Sequence, residues 1–149
     1  MNIREIQNKD IAAVSSVCLN SFNDSIAISL TNKGISTFSK IASISAFRAR
    51  VKEDNLIHVA EVNGTIKGVI ELKKGRHIAM LFVEPKYQKQ SIGKKLLFSV
   101  LSFCRGNTLT VSASIPSVKA YEKYGFECSG EIAESEGLVY QPMEIELNK

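Results

Sequence analysis

The sequence predicts an α/β (α+β) fold: a mixed, mostly antiparallel sheet of six to seven strands with helices on both faces. Three observations predict it. Two strand-like runs, residues 56–62 and 65–72, are joined by Asn63-Gly64, one of the stronger hairpin signals a short sequence offers. An apolar segment, residues 78–83, leads through a short basic loop into a stripe at helical spacing, Ile92, Leu96, Val100, Phe103 and Cys104 flanked by Leu97 and Leu101. After the Gly106-Asn107 break, TLTVS (108–112) reads as a further strand. Strand, helix and strand in succession make a β-α-β unit, with its two strands parallel through a right-handed crossover.

Taken in order, residues 2–6 alternate as a first strand, and Asn8 or Asp10 can cap a helix over Ile11, Val14, Val17, Cys18 and Leu19. Residues 23–34, polar and punctuated by Ser and Asn, read as a loop. A second helix over residues 36–52 turns Phe38, Ile41, Ala42, Ser45 and Ala46 inward. The serines of residues 15–45 read as helix-surface residues, with a polar pocket lining as the alternative. A tight turn at 73–76 feeds the central strand, completing an antiparallel meander of three. In that strand Ile78, Met80 and Phe82 share one face and Ala79, Leu81 and Val83 the other, both apolar as a buried strand requires. Pro85, with no N–H to give, ends it. In the following helix Phe98 falls on the polar arc, where another segment is expected to cover it. Ser114 caps a short helix with Pro116 in its first turn and Gly125 as a left-handed stop. Residues 128–135 and 138–147 form a closing hairpin turned at Glu136-Gly137, and the order is β-α-α-β-β-β-α-β-α-β-β.

A chain of 149 residues, 44% hydrophobic and 23% charged, suits one domain, 1–149. The net charge of +4 is spread among acidic residues, without an arginine cluster or aromatic-basic interleaving. It therefore argues for anionic small molecules and against nucleic acid. Cys18, Cys104 and Cys128 are odd in number and widely spaced, which suits reduced core residues and not a disulfide framework or metal knuckle. The N-terminus has no apolar h-region and no run approaches bilayer length, so the expected setting is cytoplasmic, without a membrane partner.

The join of strand, basic loop and helix is where chemistry is expected. The first turn of a helix leaves backbone N–H groups unpaired, with a partial positive charge from the peptide dipoles. Gly93 removes a side chain there, and Lys89, Lys94 and Lys95 add charge, so an anion fits. The same features describe an ordinary solvated helix start, and no G-x-x-x-x-G-K-[ST] loop is present.

The run VEPKYQKQSIGKKLL resembles the acyl-CoA-binding motif of the GNAT acetyltransferase superfamily, [QR]-x-x-G-x-[GA], with Gln88, Lys89, Gln90, Ser91, Ile92 and Gly93 in its six places. Ser91 stands where the family usually has glycine. VSASIPSVKAYEKYGFE resembles the second signature through Tyr121, Lys123, Gly125 and Phe126, with Ser114 and Ser117 replacing the usual Asn and Ala. The resemblance covers residues 56–126 well, and the last strand in kind. It implies a GNAT-like sheet and acetyl-CoA as cosubstrate. The diphosphate would lie at Gln88 to Lys94, the pantetheine arm along Leu81, Phe82 and Val83, and further contacts at Ser114 and Ser117.

The resemblance further implies that the acyl carbonyl is held by a backbone N–H near Phe82 or Val83 while an amine attacks it directly. Tyr121 is the candidate donor to the departing thiolate, whose pKa of about 8.5 lies below tyrosine's about 10. His77, at the start of the central strand, is the candidate base, with Glu71, Glu84 or a water chain as rivals; a polar strand end is its plain alternative. His58 reads as a half-buried strand residue, and no spacing suits a metal. The implied activity is acetyl transfer to a small-molecule or peptide amine by a monomer or homodimer; a non-catalytic acyl-CoA-binding module is the alternative. No motif constrains the acceptor, which depends on residues 23–34, the second helix and the closing hairpin.

Overall fold

A computed structural model describes residues 1–148. Eight strands form one sheet. Its path is β1 (Asn2–Glu5), β2 (Asn55–Val62), β3 (Thr65–Lys73), β4 (His77–Val83), β5 (Thr108–Ser114), β8 (Leu138–Glu146) and β6 (Glu127–Cys128), with β7 (Ala133–Ser135) also on β8. β4 and β5 are parallel and every other pairing is antiparallel. Helices α1 (Ile11–Ser25), α2 (Asn32–Ile41) and α3 (Ile44–Arg50) cover one face, and α4 (Ile92–Val100) and α5 (Val118–Lys123) the other. The mixed architecture read from the sequence is therefore present. Its last hairpin differs: the expected strand 128–135 is split around Gly130, a residue that weakens strand interiors.

Local chemistry sets most boundaries. Asn63 (φ 51°) with Gly64 (φ 79°), and Glu136 (φ 51°) with Gly137 (φ 84°), adopt the two left-handed conformations that close a two-residue hairpin. The expected loop 23–34 is largely helical, because α1 runs on to Ser25 and Thr31 caps α2. Ser25 donates to the Ser21 carbonyl at 3.0 Å, which lets a serine sit at the end of α1 without competing for its backbone. The expected single helix 36–52 is two. Ser43 accepts from the Ala46 N–H at 3.1 Å and starts α3 afresh, while the buried Ser15 hydroxyl satisfies the Ala42 carbonyl at 2.6 Å. The break resets the phase, so Phe47 is buried with Phe38 and Ala42, and Ile41 and Ser45 face outward.

The third stripe is also shorter as a helix than its spacing implied: α4 stops at Val100, and a 3₁₀ turn over residues 101–103 carries the chain to buried Cys104. Phe98 is not covered by another segment. Its ring is 54% exposed, with the Lys94 ammonium 5.6 Å from its centroid. Cys18 and Cys104 are core residues, whereas Cys128 lies exposed on the edge strand β6. No helix among the described residues is long and apolar enough to cross a membrane.

One irregularity positions everything that follows. On β3 and β4, Glu71 is opposite Met80 and the next residue, Leu72, is opposite Ile78, so Ala79 is an extra residue in β4. A bulge of this kind bends its strand and reverses the facing of the residues beyond it. Ile78 therefore packs with Leu81 and Val83 on the α4 side, and Met80 with Phe82 on the α1 side. The simple alternation expected for this strand fails at Ala79.

His58, on β2, is buried, with Nδ1 2.9 Å from the Ser99 hydroxyl of α4. Burial pulls its pKa below the ordinary value of 6.5, against a smaller upward pull from Glu5. A depressed folded-state pKa means the unfolded chain takes the proton first as pH falls. This contribution to stability is complete above about pH 6.5 and is lost below it. Urea midpoints should therefore fall from about pH 7.5 to about pH 5, and His58→Gln should shrink that fall. An undiminished fall in the variant would show that His58 does not carry it.

Candidate active site

β4 and β5 touch through only two residue pairs, His77 with Thr110 and Ile78 with Val111. Past the bulge at Ala79 the strands part, while β5 stays paired to β8 as far as Ser114 opposite Tyr140. One edge of β4 from Ala79 to Val83 thus faces a wedge and not a neighbouring strand. Two cavities meet there, sharing Ile26, Leu81, Phe82, Ser117 and Tyr121. One, about 610 Å³, runs between the end of β4, the start of α4 and α5. The other, about 210 Å³, lies toward α1, α2 and β8.

The larger cavity ends at a helix start that presents backbone donors. Ser91, at the N-cap of α4, is left-handed (φ 66°, ψ 13°), and its hydroxyl makes no capping bond. Lys89 is left-handed too, at φ 63°. Backbone alternating in this way forms a concavity of N–H groups, which adds to those left unpaired in the first turn. Lys89, Lys94 and Lys123 line the cavity, and none forms an ion pair among the described residues. Gln88 braces the loop: its Nε2 donates to the Val83 carbonyl at 3.0 Å and toward the Ser21 hydroxyl at 3.4 Å. A Cβ on Gly93 would lie 2.8 Å from Tyr124 Oη, so the bare glycine keeps both helix start and phenol in place.

The expected site residues mostly converge. Leu81, Phe82, Ser117 and Tyr121 border both cavities; Val83, Gln88, Lys89, Ser91, Ile92, Gly93 and Lys94 border the larger; Ser114 borders the smaller, its hydroxyl 2.6 Å from that of Ser117. Gln90 borders neither and reaches back toward the Lys86 carbonyl at 3.5 Å. His77 also borders neither. It stands at the closed end of the wedge, Nδ1 2.8 Å from Thr110 Oγ1, its pKa lowered by burial and then by Lys73.

The rival carboxylates are elsewhere as well. Glu71 is fully buried against Arg50 (2.9 Å) and Asn55 (3.0 Å), its pKa raised by burial despite Arg50. Glu84 accepts from Asn20 at 2.8 Å. Tyr121 packs edge-on to Phe126 (5.4 Å) and Tyr124 (5.9 Å), and burial pushes its phenol up, with Tyr124 adding to the shift. Its hydroxyl has no hydrogen-bond partner among the described residues, and the residue borders both cavities. Sequence reasoning did not single out Ser21, Ser25 and Ile26: Ser25 and Ile26 fall in the expected loop 23–34, and the serines of 15–45 read first as helix-surface residues. It also missed Tyr124, whose place three residues after Tyr121 on a helix was a usable signal.

A sheet parted in this way, with a donor-rich helix start on one side and a partly open apolar cavity on the other, suits an acyl-CoA-type transferase. The chain belongs to the GNAT acetyltransferase family: residues 26–147 match the profile described as Acetyltransferase (GNAT) domain. The fold is similar to that of a GCN5-related N-acetyltransferase from Rhodopseudomonas palustris, with a TM-score of 0.84 at 23% identity over 98% of this chain and 95% of that one. It is also similar to PaiA N-acetyltransferase from Thermoplasma acidophilum, a structure in complex with coenzyme A, with a TM-score of 0.79 at 22% identity over 97% and 98%. In sequence, 53 residues are 36% identical to the human cysteine-rich protein 2-binding protein, which is 34% of this chain and 7% of that protein.

The left-handed Ser91 carries strain of about 1–2 kcal/mol that glycine would not. Allowing for glycine's greater freedom in the unfolded chain, Ser91→Gly should stabilise by about 0.5–1 kcal/mol and raise Tm by about 2 °C. An unchanged or lower Tm in calorimetry would mean that position 91 is not strained. Gly93→Val displaces Tyr124 from the helix start and should weaken coenzyme A binding at least about tenfold by titration calorimetry. Undiminished binding would show that the ligand's phosphates lie elsewhere.

Proposed function

We propose that residues 1–149 form a single acetyltransferase domain that moves acetyl from acetyl-CoA to a primary amine by direct attack in a ternary complex. The observation that carries this reading is the meeting of two cavities of opposite character beneath the parted edge of β4. Three features support acetyl-CoA as the donor: unneutralised lysines, backbone donors at a helix start, and a strand edge open to an extended chain. Lys89, Ser91, Ile92, Gly93 and Lys94 would hold the diphosphate. The edge from Leu81 to Val83 would pair with the amide-bearing arm. Bound there, the thioester supplies an activated acyl carbonyl.

The protein's own part is to orient, exclude water and donate. Tyr121 borders both cavities with its hydroxyl uncommitted among the described residues, and burial raises its pKa, which favours the neutral phenol. A thiolate of pKa about 8.5 cannot strip a phenol held above about 10, so its role is a donated hydrogen bond, with the proton reaching sulfur from water. No carboxylate or imidazole among the described residues borders either cavity. The ammonium proton is therefore assigned to water, and His77 is left outside the reaction. That Cys18 and Cys128 form no disulfide among the described residues supports a reducing, cytoplasmic setting.

Because the Tyr121 hydroxyl holds no structural bond, Tyr121→Phe should leave folding and coenzyme A affinity unchanged. It should lower kcat about 10²-fold, followed as release of free thiol. An unchanged rate removes Tyr121 from the reaction.

A further inference from the structure

The smaller cavity is the acceptor's half of the site if the acetyl-transfer reading holds, and its walls say what kind of amine fits. We propose that the acceptor is a small primary amine carried on one apolar group about the size of a phenyl ring, and not a polyamine, aminoglycoside-like polycation or amino-acid zwitterion.

The walls are aromatic and aliphatic. Phe22 and Phe38 stack at 4.0 Å with their rings within 6° of parallel, and Phe82 meets Phe38 edge-on at 5.4 Å, so one aromatic surface runs from α1 and α2 to the bulged strand. Ile26, Leu30 and Leu138 continue it. Among the described residues no Asp, Glu, His, Lys or Arg borders the cavity; its polar side chains are the hydroxyls of Ser112 and Ser114 on β5, Ser117 at the N-cap of α5, Tyr121 on α5 and Tyr140 on β8. A second ammonium, or an α-carboxylate, would be desolvated here without a counter-charge, at several kcal/mol per ion. A single amine needs only to shed one proton and meet a hydroxyl.

Size points the same way. An apolar cavity of about 150 Å³ holds benzene, so about 210 Å³ takes one ring or branched chain with its aminomethyl carbon. The dimension is built in. Gly34 of α2 lies directly on the backbone of Gly137, leaving no room for a Cβ at either, and Thr37 donates to the Glu136 carbonyl at 2.6 Å. This contact seats α2 on the β7–β8 turn and roofs the cavity. The carboxylate at that turn, Glu136, is exposed and faces Lys33 at 3.6 Å, outside it.

The test is a competition in acceptor class. With acetyl-CoA saturating, kcat/KM is measured for phenethylamine, spermidine and phenylalanine, and the first is expected to exceed each of the others at least tenfold. Parity or a reversed order overturns the proposal while leaving acetyl transfer intact. If no amine turns over, calorimetry on the coenzyme A-loaded protein decides. Uptake of phenethylamine but not spermidine supports the acceptor class while overturning transfer; uptake of neither, or of spermidine, overturns the acceptor class. Ile41 borders the cavity at 37% exposure, so Ile41→Glu places a carboxylate at the rim without burying it. It should move the phenethylamine-to-spermidine ratio at least tenfold toward spermidine, and an unmoved ratio counts against the proposal.

Discussion

The structure depends on a parallel ladder that lasts for only two residue pairs. β4 and β5 hold together at His77 and Ile78, the extra residue Ala79 bends β4 away, and the strands do not meet again. Sheets ordinarily fill such an edge, because unpaired backbone groups kept from water cost free energy. Here both strands are secured from their outer sides, β4 by β3 and β5 by β8, so the wedge stays open without unravelling the sheet. An opening held in this way suits a ligand that completes the ladder.

The wedge also divides the chemistry. On the α4 side, backbone donors and lysines favour negative charge; on the α1 and α2 side, rings and aliphatic side chains favour none. Tyr121 borders both, its hydroxyl without a hydrogen-bond partner among the described residues. Under the proposed reading, that separation lets an anionic donor and an apolar amine approach from opposite faces of one sheet and meet at one place. The pair Arg50 and Glu71 and the strand-end His77 border neither cavity and belong to the packing around them.

Much of this was legible in the chain. Asn63-Gly64 and Glu136-Gly137 closed the hairpins expected of them, and the loop from Gln88 to Lys94 lies at the start of α4, as its spacing implied. Ser91 departs from the family's glycine yet keeps the left-handed conformation glycine would take. What could not be read depends on contacts distant in sequence. The bulge at Ala79 has no local signature, since ILE-ALA-MET reads as plain alternation until β3 fixes its register. The break at Ser43 depends on Ser15 reaching the Ala42 carbonyl, and the acceptor walls come from α1, α2 and β8, which no single motif joins. His77 begins the strand that carries the opening, but the strand parts from β5 at its other end, so His77 borders neither cavity.

The most direct measurement is amide hydrogen exchange of the protein with coenzyme A, compared with adenosine 3′,5′-bisphosphate. Coenzyme A should slow exchange both at Ile92 to Lys94 and at Leu81 to Val83, because its arm completes the open edge of β4; the bisphosphate, lacking that arm, should leave the β4 amides unchanged. If coenzyme A leaves those β4 amides as fast as in the free protein, the wedge is not where the ligand lies.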